Sequence, residues 1–227
     1  KINEIKEISK KYEIPLIEDA AEALGSNYDG IPLGTIGDFG ILSFNGNKII
    51  TTSGGGALIS SSFEHIKKAK FLSSQAKENT IYYQHKEIGY NYRISNVLAA
   101  IGLGQIEQID KKIKIRRKNF SLYKKYLNNI EEISFLEEPL NFYSNRWITT
   151  ILVSSQNGFC KEKIIRNLRE NKIESRPIWK PMHLQPLYKQ YKFYNNNSSE
   201  KLFNLGLCLP SGTTLTKEQI SKISQII

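Results

Sequence analysis

Between Gly25 and Gly56 the chain places nine of its fifteen glycines, at positions 25, 30, 34, 37, 40, 46, 54, 55 and 56. Each glycine inside a helix costs about 1 kcal/mol relative to alanine, so this stretch is read as strands and turns. Its apolar pieces, Phe39-Gly-Ile-Leu-Ser-Phe and Ala57-Leu-Ile, supply the strands. Just upstream, Ile14-Pro-Leu-Ile reads as a short buried strand that ends on the carboxylate pair Glu18-Asp19. Ligands of open α/β sheets gather beyond the carboxyl ends of strands, which makes Asp19 a candidate site residue; a helix N-cap is the alternative.

The remainder reads as helices and short strands. Lys1 to Lys11 carries Ile2, Ile5 and Ile8 on one stripe and has no capping residue ahead of it, the texture of a helix already under way. The chain also starts without methionine and has its single methionine at 182, so it is read as a fragment. Ser61-Ser62 precede a helix through Leu72, and the polar, Tyr-rich passage from Ser73 to Arg93 is a long loop of the kind that often carries function. Ser95 caps a long helix, with room for a break, in which Val97, Leu98, Ile101, Ile106, Ile109 and Ile113 recur at helical spacing.

Beyond Tyr126 the segments shorten. Ile130 to Leu136, Trp147 to Val153 and Ile173 to Ser175 are expected as strands, Lys161 to Asn171 as a helix, and Asn195-Asn-Asn-Ser-Ser as a loop. Thr216-Lys-Glu-Gln219 is a capping box opening a final helix. This texture divides the chain into a larger domain, residues 1–126, and a smaller α+β domain, residues 127–227.

Thirty-two Lys and Arg against 22 Asp and Glu give a net charge of +10, which favours anionic partners without choosing among them. No nucleic-acid-binding motif accompanies the charge, and the dense run Lys111, Lys112, Lys114, Arg116, Arg117 and Lys118 falls in a helical pattern where a solvated face explains it. No apolar run approaches the length of a membrane span, and the first residues do not have the make-up of a signal peptide. Cys160 and Cys208 are read as buried thiols of a cytoplasmic protein. His65, His85 and His183 lack metal-binding spacing and no GxSxG elbow occurs, so metal catalysis and serine hydrolysis are set aside. Thr52-Ser-Gly-Gly-Gly lacks the spacing of a P-loop or a dinucleotide turn.

One lysine, Lys48, sits in the glycine-studded loop after an apolar strand, in Ser43-Phe-Asn-Gly-Asn-Lys48. By position alone it is either solvated or functional. Its combination with Asp19 decides the reading, because a lysine that forms a Schiff base and a carboxylate that keeps a pyridine nitrogen protonated are the two groups pyridoxal phosphate chemistry asks of a protein. Four ordered segments then resemble motifs of the DegT/DnrJ/EryC1/StrS family of nucleotide-sugar aminotransferases. These are Ile17-Glu-Asp-Ala-Ala-Glu-Ala-Leu-Gly25, Gly34-Thr-Ile-Gly-Asp38, Ser43 to Lys48, and Gly89-Tyr-Asn-Tyr-Arg93.

The resemblance implies an α/β fold-type-I transferase, an incomplete large domain with a mainly parallel sheet followed by a smaller C-terminal domain. It implies pyridoxal 5′-phosphate as cofactor, a nucleotide sugar and glutamate as substrates, and a homodimer with active sites at the subunit boundary. Asp19 matches the aspartate on the pyridine nitrogen, Lys48 the lysine bound covalently to the cofactor, and Glu22 the position beside the ring hydroxyl. Ser43 matches the hydroxyl on the cofactor phosphate, and Asn91 an asparagine that reaches the phosphate of the neighbouring subunit. Read without the family, Ser43 is an ordinary strand residue and Asn91 a turn former. Arg176-Pro-Ile-Trp-Lys-Pro-Met-His183 resembles the segment that approaches the sugar nucleotide, so Arg176, Trp179, Lys180 and His183 are candidate substrate contacts. Packing is an equal role for Trp179.

The family's sugar dehydratases replace the lysine with histidine, and Lys48 argues against that branch. Family members carry an N-terminal portion, with a Gly-Thr/Ser-Ala turn on the cofactor phosphate, that nothing here matches. Open sheet edges and apolar faces are expected in its absence, and a catalytically silent remnant is the alternative. The segments Glu18 to Ala23 and Trp179 to His183 resemble those of enzymes making 4-amino sugars for bacterial surface glycans.

Overall fold

The computed structural model describes residues 1–155, 158–194 and 196–227, which form two compact units: 1–113 with 139–145, and 114–138 with 146–227. In the first unit, α1 (Ile2–Tyr12) ends at Glu13, whose left-handed backbone (φ 54°) closes the helix, and the Ile14 amide bonds back to the Ser9 carbonyl at 3.0 Å. Residue 14 is therefore consumed by the helix end and Pro15 has no N–H to give. The strand expected at residues 14–17 instead begins at its last residue, as β1 (Ile17–Asp19), and takes in both carboxylates.

β2 (Asn27–Tyr28) and β3 (Ile31–Pro32) make a hairpin; β4 (Phe39–Ser43) and β5 (Gly56–Ile59) follow. β1 lies parallel to β4 with Asp19 opposite Ile41, and β5 pairs antiparallel on the other side of β4. A side chain at Gly40 would place its Cβ 1.8 Å from the Gly34 carbonyl oxygen, and Gly34 itself stands at φ +92°. Those two glycines are therefore required by a loop lying directly on the strand.

α2 (Phe63–Leu72) is capped by Ser62 and α3 (Asn96–Ile106) by Ser95, whose side chains accept the His65 and Leu98 amides. The passage between them has no helix or strand and is cross-tied by bridges Ser74–Asn91 and Lys77–His85. The long helix breaks at Glu107-Gln108 and resumes as α4 (Ile109–Leu127), within which the two units divide. None of α1, α2 or α3 buries a residue, and Ile5, Ile8, Ile17, Val97 and Leu103 are exposed.

After α4 the chain contributes β6 (Ile133–Phe135) to the second unit and then β7 (Phe142–Tyr143), which pairs with β2 in the first. β6 is shorter than its expected span of 130–136 because the Ile130 and Ile133 amides close turns onto Leu127 and Ile130. The second unit adds β8 (Thr149–Val153), α5 (Lys161–Glu170), β9 (Arg176–Pro177), α6 (Ser198–Leu205), β10 (Gly206–Leu209) and α7 (Lys217–Ile226). The sheet order β6-β8-β10-β9 is antiparallel throughout. Alternate residues Ile151, Val153, Leu207 and Leu209 form one core with Tyr123, Leu127, Ile164, Leu168, Ile220 and Ile223 from three helices.

Three expectations are overturned in the second unit. The strand placed at 173–175 is displaced to Arg176–Pro177, because the Ile173 amide caps α5 on the Leu168 carbonyl (2.8 Å) after Lys172 turns left-handed. Ser198 and Ser199, assigned to a loop, open α6; Asn195 lies outside the described residues. The cysteines are half-buried rather than buried.

The basic run on α4 is not simply a solvated face either. Arg116 Nη1 donates to the Trp147 carbonyl and to that of Ser211 (3.1 Å), Asn119 to that of Gly212 (3.0 Å), and the Tyr123 hydroxyl to that of Pro210 (2.9 Å). Burial lowers the Arg116 pKa and raises that of Tyr123. Residues 116, 119 and 123 share one face by helical spacing, which lets three donors grip one loop.

The capping box at the last helix forms as expected: Thr216 accepts the Gln219 amide at 3.2 Å and Gln219 accepts the Thr216 amide at 2.9 Å. Thr216→Ala is expected to lower unfolding free energy by about 1 kcal/mol, read from urea unfolding curves.

Candidate active site

The site in the first unit is built on the carboxyl edge of β1 and β4, where two parallel strands end side by side. The Glu18 carboxylate does not join Asp19 at that edge. It points to the other face of β1 and accepts three backbone amides, Ile36 (2.5 Å) and Gly37 (2.7 Å) on Oε1 and Gly34 (2.9 Å) on Oε2. Asp38 adds a reciprocal tie, accepting the Leu16 amide at 2.7 Å while its own amide donates to the Leu16 carbonyl. The segment Gly34 to Asp38 is thus a loop strapped to β1, and the paired carboxylates have separate tasks set by strand alternation.

Asp19 is exposed at the strand end, with Oδ1 accepting the Ala21 amide at 3.2 Å. The turn it opens carries Glu22. That turn is held from far along the chain by Asn145, which is 3% exposed: its Nδ2 donates to the Glu22 (2.9 Å) and Leu24 (3.0 Å) carbonyls, and its amide to Ser26 Oγ (2.9 Å).

Ser43 is the last residue of β4, half-buried and opposite Gly56. The loop after it is closed at its base by the Phe44 amide on the Gly55 carbonyl (3.0 Å) and the Thr52 amide on that of Phe44 (2.9 Å). Within the loop the Lys48 amide turns back to the Asn45 carbonyl (3.0 Å), while Ile49 and Ile50 are buried and anchor its descending side. The Lys48 side chain, only 13% exposed, reaches Glu22: Nζ to Oε1 is 3.0 Å. Two residues 26 apart in sequence therefore meet as an ion pair beside the strand ends that carry Asp19 and Ser43.

The other expected residues stand elsewhere. Asn91 is exposed in the bridge with Ser74. Arg176, Trp179, Lys180 and His183 belong to the second unit. Arg176 pairs with Glu174 (2.6 Å), and the exposed Trp179 ring stacks on Trp147 at 5.9 Å between centroids. Lys180 is exposed. His183 bonds Glu200 through Nε2 (2.9 Å) and stacks on Phe193 (4.5 Å). Glu18, Asp38 and Asn145 were not singled out from sequence as site-building residues. The motif around the first two was visible; Asn145 has no local signal.

A half-buried amine on a loop beyond the carboxyl edge of a partly parallel sheet, ion-paired with a carboxylate, defines a mixed α/β protein with an amine-centred site. The chain belongs to the DegT/DnrJ/EryC1/StrS aminotransferase family, whose family model matches residues 1–227. It is 46% identical over its whole length to EpsN of Bacillus subtilis (strain 168), provisionally named a pyridoxal phosphate-dependent aminotransferase, and spans 59% of that protein. It is 34% identical, again over its whole length, to GDP-perosamine synthase of Escherichia coli O157:H7, spanning 61% of it. Among solved structures, a family member from Brucella abortus superposes with a TM-score of 0.88 at 26% identity, covering 100% of this chain and 60% of that one. The chain therefore spans about three-fifths of the length of these relatives. Among the described residues no helix is long and apolar enough to cross a membrane.

Proposed function

We propose that this chain carries the cofactor lysine and ring-binding carboxylate of an aminotransferase that moves an amino group from glutamate to a keto nucleotide sugar, a 4-keto sugar bound for bacterial surface glycans. The Lys48–Glu22 pair beside the ends of β1 and β4 is the observation that carries the reading. The donor set fits pyridoxal phosphate: a primary amine, an exposed carboxylate on Asp19 and a hydroxyl on Ser43, all on segments that leave the same sheet edge. When bound, that cofactor supplies an electron sink for the carbon that gains or loses the amino group.

The chain's own residues do the rest. Asp19 holds a proton on the ring nitrogen by placing negative charge beside it. Glu22 fixes the direction of the Lys48 amine and would stand beside the cofactor's ring hydroxyl. Lys48 would hold the cofactor through its amine, and Nζ is the atom that would take up and return the proton as base and then acid. Ser43 would donate to the cofactor phosphate, and Asn91 would do so for the site of a second copy. Arg176 and Lys180 offer cationic donors to the sugar nucleotide's diphosphate, Trp179 an exposed ring face, and His183 a nitrogen poised by Glu200. The protein acts as a homodimer in the cytoplasm. GDP-perosamine synthase and EpsN, as named relatives, support the reaction class.

The test treats the protein with pyridoxal 5′-phosphate and borohydride and maps the product by peptide mass. A pyridoxyl adduct on Lys48 is expected; modification confined to other lysines overturns the assignment. A second reading, a catalytically silent remnant, is favoured by the exposed apolar side chains of α1 and α3. It is selected if the adduct forms at Lys48 but no 2-oxoglutarate appears with glutamate and a panel of keto sugar nucleotides.

A further inference from the structure

Gln105, near the end of α3, makes a two-point hold on a single residue of the Lys48 loop, through the two peptide groups that flank it. Its Oε1 accepts the Thr51 amide at 3.2 Å and its Nε2 donates to the Thr51 carbonyl at 2.6 Å. Lys112 Nζ donates to the same Oε1 at 2.7 Å, which fixes the orientation of the amide group: the oxygen must face the two donors and the nitrogen the carbonyl. One helical turn earlier, a Cβ on Gly102 would meet Thr52 Cγ2 at 2.8 Å, so the helix backbone approaches the loop at that point. Thr52, 1% exposed, is packed beneath it.

The rest of α3 buries nothing, and its apolar side chains Val97, Ile101 and Leu103 are exposed. The helix therefore touches the loop through a glycine and a polar side chain rather than through an apolar stripe, an unusual way to seat an otherwise apolar helix. The contact falls three residues after Lys48, and Ile49 and Ile50 between them are buried. With so short and anchored a connection, the Thr51 peptide controls where the Lys48 backbone sits. Glu22, held in its turn by Asn145, then meets an amine whose root is held by Gln105.

We propose that Gln105 is a positioning residue for Lys48. It sets the loop so that Nζ is delivered at the strand ends, and it touches neither substrate nor cofactor. This inference rests on the reading of Lys48 as the cofactor-binding lysine. Without the hold, the loop loses two hydrogen bonds to one residue and the amine samples a wider region, which slows reaction of a nucleophile that depends on placement.

The experiment exposes the full chain and its Gln105→Met and Gln105→Glu variants to pyridoxal 5′-phosphate, traps with borohydride, and measures the initial rate of adduct at Lys48 against that at the exposed Lys222. Methionine keeps the volume without the hydrogen bonds; glutamate keeps the acceptor for Thr51 and Lys112 but sets a charged carboxylate oxygen against the Thr51 carbonyl in place of the donor. The Lys48:Lys222 ratio is expected to fall about tenfold in the methionine variant and about threefold in the glutamate variant, with faster hydrogen exchange at the Thr51 and Thr52 amides. An unchanged ratio in the methionine variant overturns the positioning role. If that variant does not fold, an unchanged ratio in the glutamate variant does so. Absence of the Lys48 adduct in the unaltered chain overturns instead the underlying reading of Lys48.

Discussion

Lys48→Ala is expected to abolish the borohydride-trapped pyridoxyl adduct at position 48 and to lower transamination about a thousandfold or more, since the proposed function gives one side chain the tasks of covalent anchor and proton carrier. Stability is expected to move little. The partner carboxylate of Glu22 is 46% exposed, and a pair this open to water contributes at most about 1 kcal/mol. Glu22→Gln separates the two tasks: the amine remains, the ion pair is replaced by a neutral hydrogen bond, and the adduct at Lys48 should still form. Loss of activity in Lys48→Ala accompanied by unfolding would speak against the role, as would an adduct that simply relocates to a neighbouring lysine with activity retained. The measurements are peptide mass mapping, 2-oxoglutarate release and thermal unfolding on the same preparations.

Glu18→Ala is expected to be among the most damaging single changes outside the core of the second unit, lowering unfolding free energy by about 3 kcal/mol. Three backbone amides, those of Gly34, Ile36 and Gly37, converge on the one carboxylate in a part-buried setting. Removing the acceptor leaves all three without their partner at once. Glu18→Gln should cost less, about 2 kcal/mol, because the amide oxygen still accepts two bonds while its NH2 group faces a third N–H. Urea unfolding of both variants gives the comparison. If alanine and glutamine were equally mild, the strap would not be holding the loop.

These two carboxylates show how far local pattern reaches. Glu18 and Asp19 are neighbours at the end of an apolar segment, and the pair was visible as such. Alternation along a strand then sends one to the solvent-exposed edge and the other into a structural strap, a distinction that depends on where β1 begins. The helix end at Glu13 and the missing N–H of Pro15 moved that start, and they acted through hydrogen bonds rather than hydrophobicity.

Caps were legible for the same reason that the strand start was not. Ser62, Ser95 and Thr216 each act on an amide three residues away, so residue type and spacing carry the whole signal. The glycine-driven turns also follow from nearby residues, whereas the position of the helix break at Glu107-Gln108 was not legible. The small strands β2, β3 and β7 did not, because a two-residue strand has no periodicity to detect and β7 comes from more than a hundred residues downstream.

The candidate nucleophile and the likeness to a family were written in the order of residues along the chain: Asp19, Glu22, Ser43 and Lys48, set off by glycines that favour strand and turn. Their assembly was not. The pairing of Lys48 with Glu22, the grip of Asn145 on the turn before it, and the hold of Gln105 on the loop after it join residues 26, 123 and 54 positions apart. Chain folding alone brings such partners within 3.2 Å. A hydrogen bond requires distance and angle between two groups, and separation along the chain encodes neither.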